Sequence, residues 1–292
     1  MRLLIIGCGY VGTQVARNYL ARGDRVLALT RTTVRAAQLR EAGIECVIGH
    51  WLDPDLELVQ LTQDVDQVLV AVPHRDDQGL AASTHQTGLA NLFRALSSNW
   101  QRLIYLSTTG VYGESDAQWV DEQTLPVPSR LAGEIALRAE RWFSDCDRSA
   151  DCVTLRLAGI YGQNRVPHLV SLRSGNAVAV PQDGFLNLIH VDDISRAIQA
   201  VFGRPAKRPC YVLSDGHPVA RAEFYREIAR LGELGEITFA PPDPNSPRAS
   251  RAATNKRIRP ANFFADFEFQ PRFRSFREGL GDCFRAEGPI SG

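Results

Sequence analysis

The chain has 292 residues, 44% of them apolar and 23% charged, a globular composition that excludes disordered and collagen-like chains. Its 33 basic and 33 acidic residues cancel, so no bulk field draws it to nucleic acid or to an anionic membrane, and a small molecule is the expected partner. All but two of the basic residues, Lys207 and Lys256, are arginine, which keeps its proton and suits phosphate and carboxylate binding better than proton transfer.

The six cysteines (Cys8, Cys46, Cys146, Cys152, Cys210 and Cys283) form no CxxC pair and no metal-ligand spacing with the six histidines. Reduced, packed thiols, a cytoplasmic setting and no metal site are expected. Four consecutive apolar residues before Gly7 are too few for a signal-peptide core, so "IIGC" is not read as a lipoprotein box. No segment reaches the ~18 apolar residues of a membrane span.

Along the chain, β-branched apolar runs at 3–6, 25–29, 46–48, 67–72, 102–107 and 152–157 alternate with helical periodicity at 11–22, 34–42, 80–96 and 131–145. That alternation predicts an α/β fold with a doubly wound parallel Rossmann sheet. After Leu157 the rhythm changes. A Gly-, Asn- and Pro-rich stretch leads to "FLNLIHVDDISRAIQAVF", read as a short strand, an Asp192 or Asp193 cap and an amphipathic helix. A strand in "CYVLSDG", a helix in "VARAEFYREIARLGEL" and a Pro-rich loop "APPDPNSPR" follow. The expected division is a Rossmann domain over 1–157 with a return segment at about 186–215. A smaller carboxy-terminal substrate lobe takes 158–185 and 216–292, closed by "FEFQPRFRSFREGL".

Gly7, Gly9 and Gly12 form GxGxxG between the first strand and the first helix. In such a loop the first glycine permits a tight turn, the second admits a pyrophosphate to the backbone, and the third lets helix and strand pack closely. The amino end of the helix, at Tyr10, Val11 and Gly12, offers N–H groups to phosphate. Ala71 and Val72, ending the fourth strand, border the same cofactor site. The second strand ends in Thr30, Arg31 and Thr32, with Arg35 close behind and no acidic residue to accept from a ribose 2′-hydroxyl. Hydroxyl and guanidinium groups there suit a 2′-phosphate, so NADP(H) is expected over NAD(H).

"GCGYVG", "STTGVYG" after the fifth strand, "RLAGIYG" after the sixth and "NLIHVDDISRAI" together resemble the extended short-chain dehydrogenase/reductase superfamily, in its epimerase/dehydratase branch. The likeness covers nearly the whole chain. It implies a substrate-holding hydroxyl at Thr108 and pairing of subunits through helices on the outer face of the sheet, hence a homodimer. It also implies a Tyr general acid/base tuned by a Lys four residues on, with a Glu four residues beyond that. Aligning that Glu to Glu134 puts Pro126 and Arg130 at the Tyr and Lys positions. Aligning it to Glu140 gives Ala132 and Ala136. Residues four before Lys207 and Lys256 are Gly203 and Ala252, so the sequence contains no YxxxK. The Asp-Glu pair that sugar-nucleotide dehydratases carry before VYG is here Thr109 and Gly110.

Candidate proton donors are Tyr112, Tyr161 and His190, the last attractive because imidazole titrates near neutrality. His190 equally suits packing beside Asp192 and Asp193. Arg130 is read as a fixed charge that binds without relaying a proton, and Arg156, Tyr161 and Asn187 as further substrate contacts. The acidic cluster Asp116, Asp121 and Glu122 is read as a polar loop. Two functions remain open: an NADP-dependent oxidoreductase or epimerase acting on a small hydroxylated or nucleotide-linked substrate, or a non-catalytic NADP(H)-binding sensor or scaffold.

Overall fold

The computed structural model describes residues 1–74, 84–113, 116–243 and 254–287. The predicted helix residues 80–83 and most of the Pro-rich loop lie outside them. In chain order the elements are β1 (Arg2–Ile6), α1 (Tyr10–Leu20), β2 (Arg25–Thr30), α2 (Thr33–Glu41), β3 (Glu45–Ile48), β4 (Gln67–Val70), α3 (Thr84–Ala95) and β5 (Arg102–Thr108). Then come β6 (Gln118–Val120), α4 (Leu131–Ser144), β7 (Cys152–Leu157), β8 (Gly159–Tyr161), α5 (Leu169–Arg173), β9 (Val178–Ala179), β10 (Phe185–Leu186) and β11 (Leu188–His190). The chain continues with α6 (Val191–Gly203), β12 (Cys210–Leu213), β13 (Val219–Ala220), α7 (Arg221–Leu231), β14 (Phe239–Ala240), β15 (Lys256–Ile258), α8 (Ala261–Phe267) and α9 (Phe276–Glu287).

Seven strands form one sheet in the order β12-β7-β5-β4-β1-β2-β3. The order reverses between β1 and β4, both parallel to their neighbours, with Ile5 opposite Leu69 on one side and Ala28 on the other. Every residue of β1 and β4 is buried, as a strand covered on both faces requires, and this explains the unbroken apolar runs in the sequence. On one face Leu4, Leu27, Val68 and Leu103 pack with Leu89 and Leu92 of α3 and with Ala139 and Phe143 of α4.

The chain divides into two compact units. The first comprises Met1–Val111, Pro126–Arg156 and Ser195–Tyr211, the second Tyr112–Leu125, Leu157–Ile194 and Val212–Gly292. The second has its own core, in which Tyr161, Leu188, Phe224, Ile228, Phe276 and Leu280 are all buried.

One local expectation is corrected. Asp192 and Asp193 do not cap α6, which begins at Val191 and holds both in its first turn. The Asp193 carboxylate instead accepts the backbone N–H groups of Arg272 at 2.7 Å and Phe273 at 3.1 Å, fixing the segment before α9. Those partners lie far along the chain, so no local pattern foretold them.

Candidate functional site

Gly7 follows β1 with φ +87°, a left-handed conformation that favours glycine, and a Cβ there would stand 2.9 Å from the backbone of Ala71. Ala71 is bound through its N–H to the Ile6 carbonyl at 2.8 Å, so the ends of β1 and β4 are clamped where the strand order reverses. Val72 packs partly buried against the same core. A Cβ on Gly12 would meet the Gly7 carbonyl oxygen at 3.0 Å and Ile5 Cγ2 at 3.1 Å, which sets how closely α1 approaches β1.

Gly9 differs: it is exposed, and a Cβ there would meet nothing within 4 Å. The space beside its backbone is open to a ligand. The first bond of the helix runs from Thr13 N–H to Gly9 O at 2.9 Å, so the amides of Tyr10, Val11 and Gly12 stand ahead of it at the positive end of the helix dipole. These features fit the pyrophosphate of a dinucleotide.

At the end of β2, Thr30 is buried and its carbonyl accepts Gly49 N–H at 2.9 Å. Thr32 caps α2, its hydroxyl accepting Arg35 N–H at 3.2 Å. Arg31 is exposed. The Arg35 guanidinium reaches back to the Cys8 carbonyl at 3.0 Å and Thr13 Oγ1 at 2.7 Å, tying α2 to the glycine loop. Burial raises the Cys8 thiol to about 11, against opposing effects of Thr13 and Arg35, so Cys8 stays a neutral packing group.

Thr108 ends β5 and is followed by a 3₁₀ turn over Thr109–Val111. Its Oγ1 accepts the Gly110 N–H at 3.0 Å. Arg130 stands immediately before α4 in extended conformation. A Cβ on Gly110 would lie 2.9 Å from Arg130 Nη2 and 3.2 Å from Thr108 Oγ1, so guanidinium and hydroxyl converge over this glycine. Gly133, in the first turn of α4, makes the approach feasible, since a side chain there would run into the Gly110 carbonyl. Of the two alignments considered from sequence, the geometry brings Arg130 to Thr108.

Glu140 is committed elsewhere. It is buried and pairs with Arg156 through Nη2 at 2.6 Å and Nε at 3.1 Å, while Ser107 Oγ donates to the same carboxylate. Arg156, expected as a substrate contact, is thus ion-paired with a buried carboxylate inside the unit. Nearby, the Tyr105 hydroxyl lies 2.9 Å from both His74 Nε2 and His85 Nδ1. Burial holds His74 well below the ordinary imidazole value, His85 down to about 4, and pushes the Tyr105 phenol well up, so all three are neutral.

The candidates in the second unit are also engaged. Tyr112 is fully buried and donates its hydroxyl to the Asp121 carbonyl at 2.6 Å, which commits the proton it was expected to supply. Asn187, expected as a substrate contact, accepts Ile258 N–H at 2.7 Å and donates to the Lys256 carbonyl at 2.9 Å, acting as a backbone-like partner for β15. His190 is 2% exposed, accepts Asp192 N–H on Nδ1 at 3.2 Å and packs on Phe273 with ring centroids 4.1 Å apart. Burial lowers its pKa against the raising effect of Asp192 and Asp193, so its charged form is disfavoured where it packs. Tyr161 is fully buried against Gly279 of α9, with its hydroxyl unpartnered, and burial raises its phenol above the ordinary range. Glu122, given no role from sequence, binds Val212 N–H at 2.8 Å and Asn262 Nδ2 at 2.6 Å.

Among the described residues, no group of three His, Cys, Asp or Glu could hold a metal ion, and no helix is long and apolar enough to cross a membrane.

A sheet of this order with a glycine loop at its reversal point defines a nucleotide-binding α/β protein of the Rossmann type. Residues 3–212 match the model of the NAD dependent epimerase/dehydratase family, and the chain belongs to that family. Protein YeeZ of Escherichia coli K12 is 28% identical over 237 residues, 79% of this chain and 83% of that protein. A functionally unknown conserved protein from Silicibacter pomeroyi DSS superposes with a TM-score of 0.81 at 26% identity, covering 98% of this chain and 99% of that one. The UDP-glucose 4-epimerase of Thermotoga maritima, with UDP-glucose, shares the fold at a TM-score of 0.80 and 15% identity, with 98% of each chain covered.

Sequence reasoning missed the two glycines that bring Arg130 to Thr108, and the Tyr105 cluster. Gly133 left a signal: glycine in the first turn of an otherwise strong helix costs stability unless close approach requires it. His74 after β4, His85 in α3 and Tyr105 in β5 lie far apart along the chain and left none.

Proposed function

We propose that the protein is an NADP(H)-dependent oxidoreductase or epimerase acting on a small hydroxylated substrate. The observation that carries this reading is the Gly7–Gly9–Gly12 loop, closed by backbone at Gly7 and open at Gly9, at the reversal point of the sheet. Gly9 and the amides of Tyr10, Val11 and Gly12 would hold the pyrophosphate, with Thr30, Arg31, Thr32 and Arg35 around a 2′-phosphate. A bound nicotinamide supplies hydride transfer. The chain itself supplies a hydroxyl at Thr108 to orient the reacting oxygen and a fixed charge at Arg130 to stabilise negative charge on it. Arginine keeps its proton at every working pH, so protonation of that oxygen falls to water or to the substrate.

The test is titration of NADPH and NADH, followed by a panel of aldehydes, ketones and sugar nucleotides monitored at the reduced-nicotinamide absorbance. The expected result is tighter NADPH binding, weakened selectively by Arg31→Ala, and turnover abolished by Thr108→Ala. Tighter NADH binding removes the NADP assignment.

A second reading, a non-catalytic NADP(H) sensor or scaffold, draws on one observation: the Tyr112 proton is committed and His190 is packed away, in a chain without YxxxK. Tight NADPH binding with no turnover across the panel favours it.

A further inference from the structure

We propose that the outer face of β6 and β15 is a docking surface for an acidic segment of a partner protein, anchored by Arg257 and Arg259 around Trp119. The surface lies wholly within the second unit and owes nothing to the reading of the nucleotide site.

Strand register builds the face. Trp119 stands opposite Arg257, and the ladder continues with Arg259 N–H donating to the Val120 carbonyl at 3.0 Å. Side chains alternate along a strand. Val120 and Ile258 are buried, so Trp119, Arg257 and Arg259 share the opposite, outer side. Trp119 is 43% exposed there and Arg259 is exposed beside it.

Arg257 is held in place before any partner arrives. Its guanidinium carbon lies 5.0 Å from the Trp119 ring centre and 5.2 Å from that of Phe185, and its Nε donates to the Ala117 carbonyl at 2.8 Å. The Nη donors have no acceptor among the described residues and are not enclosed, so they reach solvent. The Arg259 guanidinium carbon lies 5.4 Å from the same indole. Neither arginine makes an ion pair among the described residues. Asp121, just after β6, turns its Oδ1 to Gln123 N–H at 3.0 Å and the Thr124 hydroxyl at 3.4 Å. Two cations gathered on one ring without a paired carboxylate call for an anionic partner, and a side chain already fixed by stacking loses little freedom on binding it.

Shape and charge choose the partner. Exposed side chains on a sheet face offer area, whereas a small molecule needs a concave site to bury most of its surface. Trp and Arg are the residue types that dominate the energy of protein interfaces, and the guanidinium fork matches a carboxylate. The chain's 33 basic and 33 acidic residues give no bulk field toward nucleic acid.

The experiment follows the Trp119 indole N–H by NMR on the full chain, at about 0.15 M salt to screen diffuse attraction. The probes are capped hexaglutamate, capped hexaglutamine and hexathymidylate; the Trp119 signal is identified by its loss in Trp119→Phe. Hexaglutamate is expected to shift the signal saturably, hexaglutamine not, and hexathymidylate to bind more weakly. Arg257→Gln and Arg259→Gln are each expected to weaken hexaglutamate at least about threefold. Arg259→Gln disturbs only an exposed side chain, so it keeps the test available if Arg257→Gln folds poorly. Arg138→Gln, which removes the same charge from an exposed position of α4, is expected to leave the affinity unchanged. No saturable shift, equal binding of hexaglutamine, tighter binding of hexathymidylate, a smaller loss in either folded variant, or an equal loss from Arg138→Gln overturns the proposal.

Discussion

Gly133 packs so tightly on Gly110 that any side chain at 133 would run into the Gly110 carbonyl oxygen and come within 2.8 Å of Pro128 Cβ. Both obstacles are backbone or a rigid ring, which cannot yield. Gly133→Ala is therefore expected to destabilise by about 1–3 kcal/mol, the usual cost of overpacking. Gly110→Ala meets chiefly the end of the Arg130 side chain and is expected to cost less. Urea denaturation of both variants checks the order. Equal midpoints would mean that α4 does not press on the end of β5 as described.

The Glu140–Arg156 pair gives a sharper energetic test, because both side chains are nearly enclosed, at 8% and 9% exposure. Removing one partner strands a charge, so Glu140→Leu or Arg156→Met alone is expected to cost about 3–5 kcal/mol. Replacing both is expected to cost much less than the two losses together. A double-mutant cycle by denaturant unfolding measures this, and additive losses would contradict a coupled pair.

The fold was legible in the sequence because it depends on local patterns. Continuous apolar runs marked the covered strands, and GCGYVG marked the turn after β1. The site was legible only where function sits on those same local features. Arg156, Asn187, Tyr112 and His190 are residue types that serve a cleft or a core equally well. Their partners Glu140, Lys256, Asp121 and Phe273 are fixed by tertiary structure. For the same reason the register of α4 against Thr108 stayed ambiguous: Glu134 and Glu140 both offered an alignment, while the close approach of two glycines brings Arg130 to Thr108.

Tyr105 ties together a buried imidazole, His85, and a half-buried one, His74, whose tautomers follow from their partners. His85 Nε2 faces the Pro73 carbonyl at 3.2 Å, so it carries the proton and Nδ1 accepts from the Tyr105 hydroxyl. The phenol oxygen then accepts from His74 Nε2–H. Tyr105→Phe leaves the buried His85 acceptor and the half-buried His74 donor unmatched and is expected to cost about 1–3 kcal/mol. Nitrogen-detected NMR of the histidine rings checks the tautomers: protonation of His85 at Nδ1 would rule out this chain of bonds.

Asp215 and His85 make opposite demands on pH. Burial raises the Asp215 carboxyl from 3.8 to about 7, and its Oδ2 has no hydrogen-bond partner, so folding favours its neutral form. Its contribution is fully present below about pH 4 and is lost as pH rises toward 7. His85, lowered by burial from 6.5 to about 4, also folds neutral, but its contribution is present above about pH 6.5 and is lost as pH falls toward 4. Over the shared window the two slopes oppose, and wild-type stability alone hides both. Asp215→Asn removes one. Relative to wild type it is expected to gain on the order of a few kcal/mol between pH 4 and 8, with its own stability rising with pH across the His85 window. Thermal unfolding of both proteins at half-unit pH steps measures the difference, and a gap between them that stays constant with pH would show that Asp215 does not titrate on unfolding.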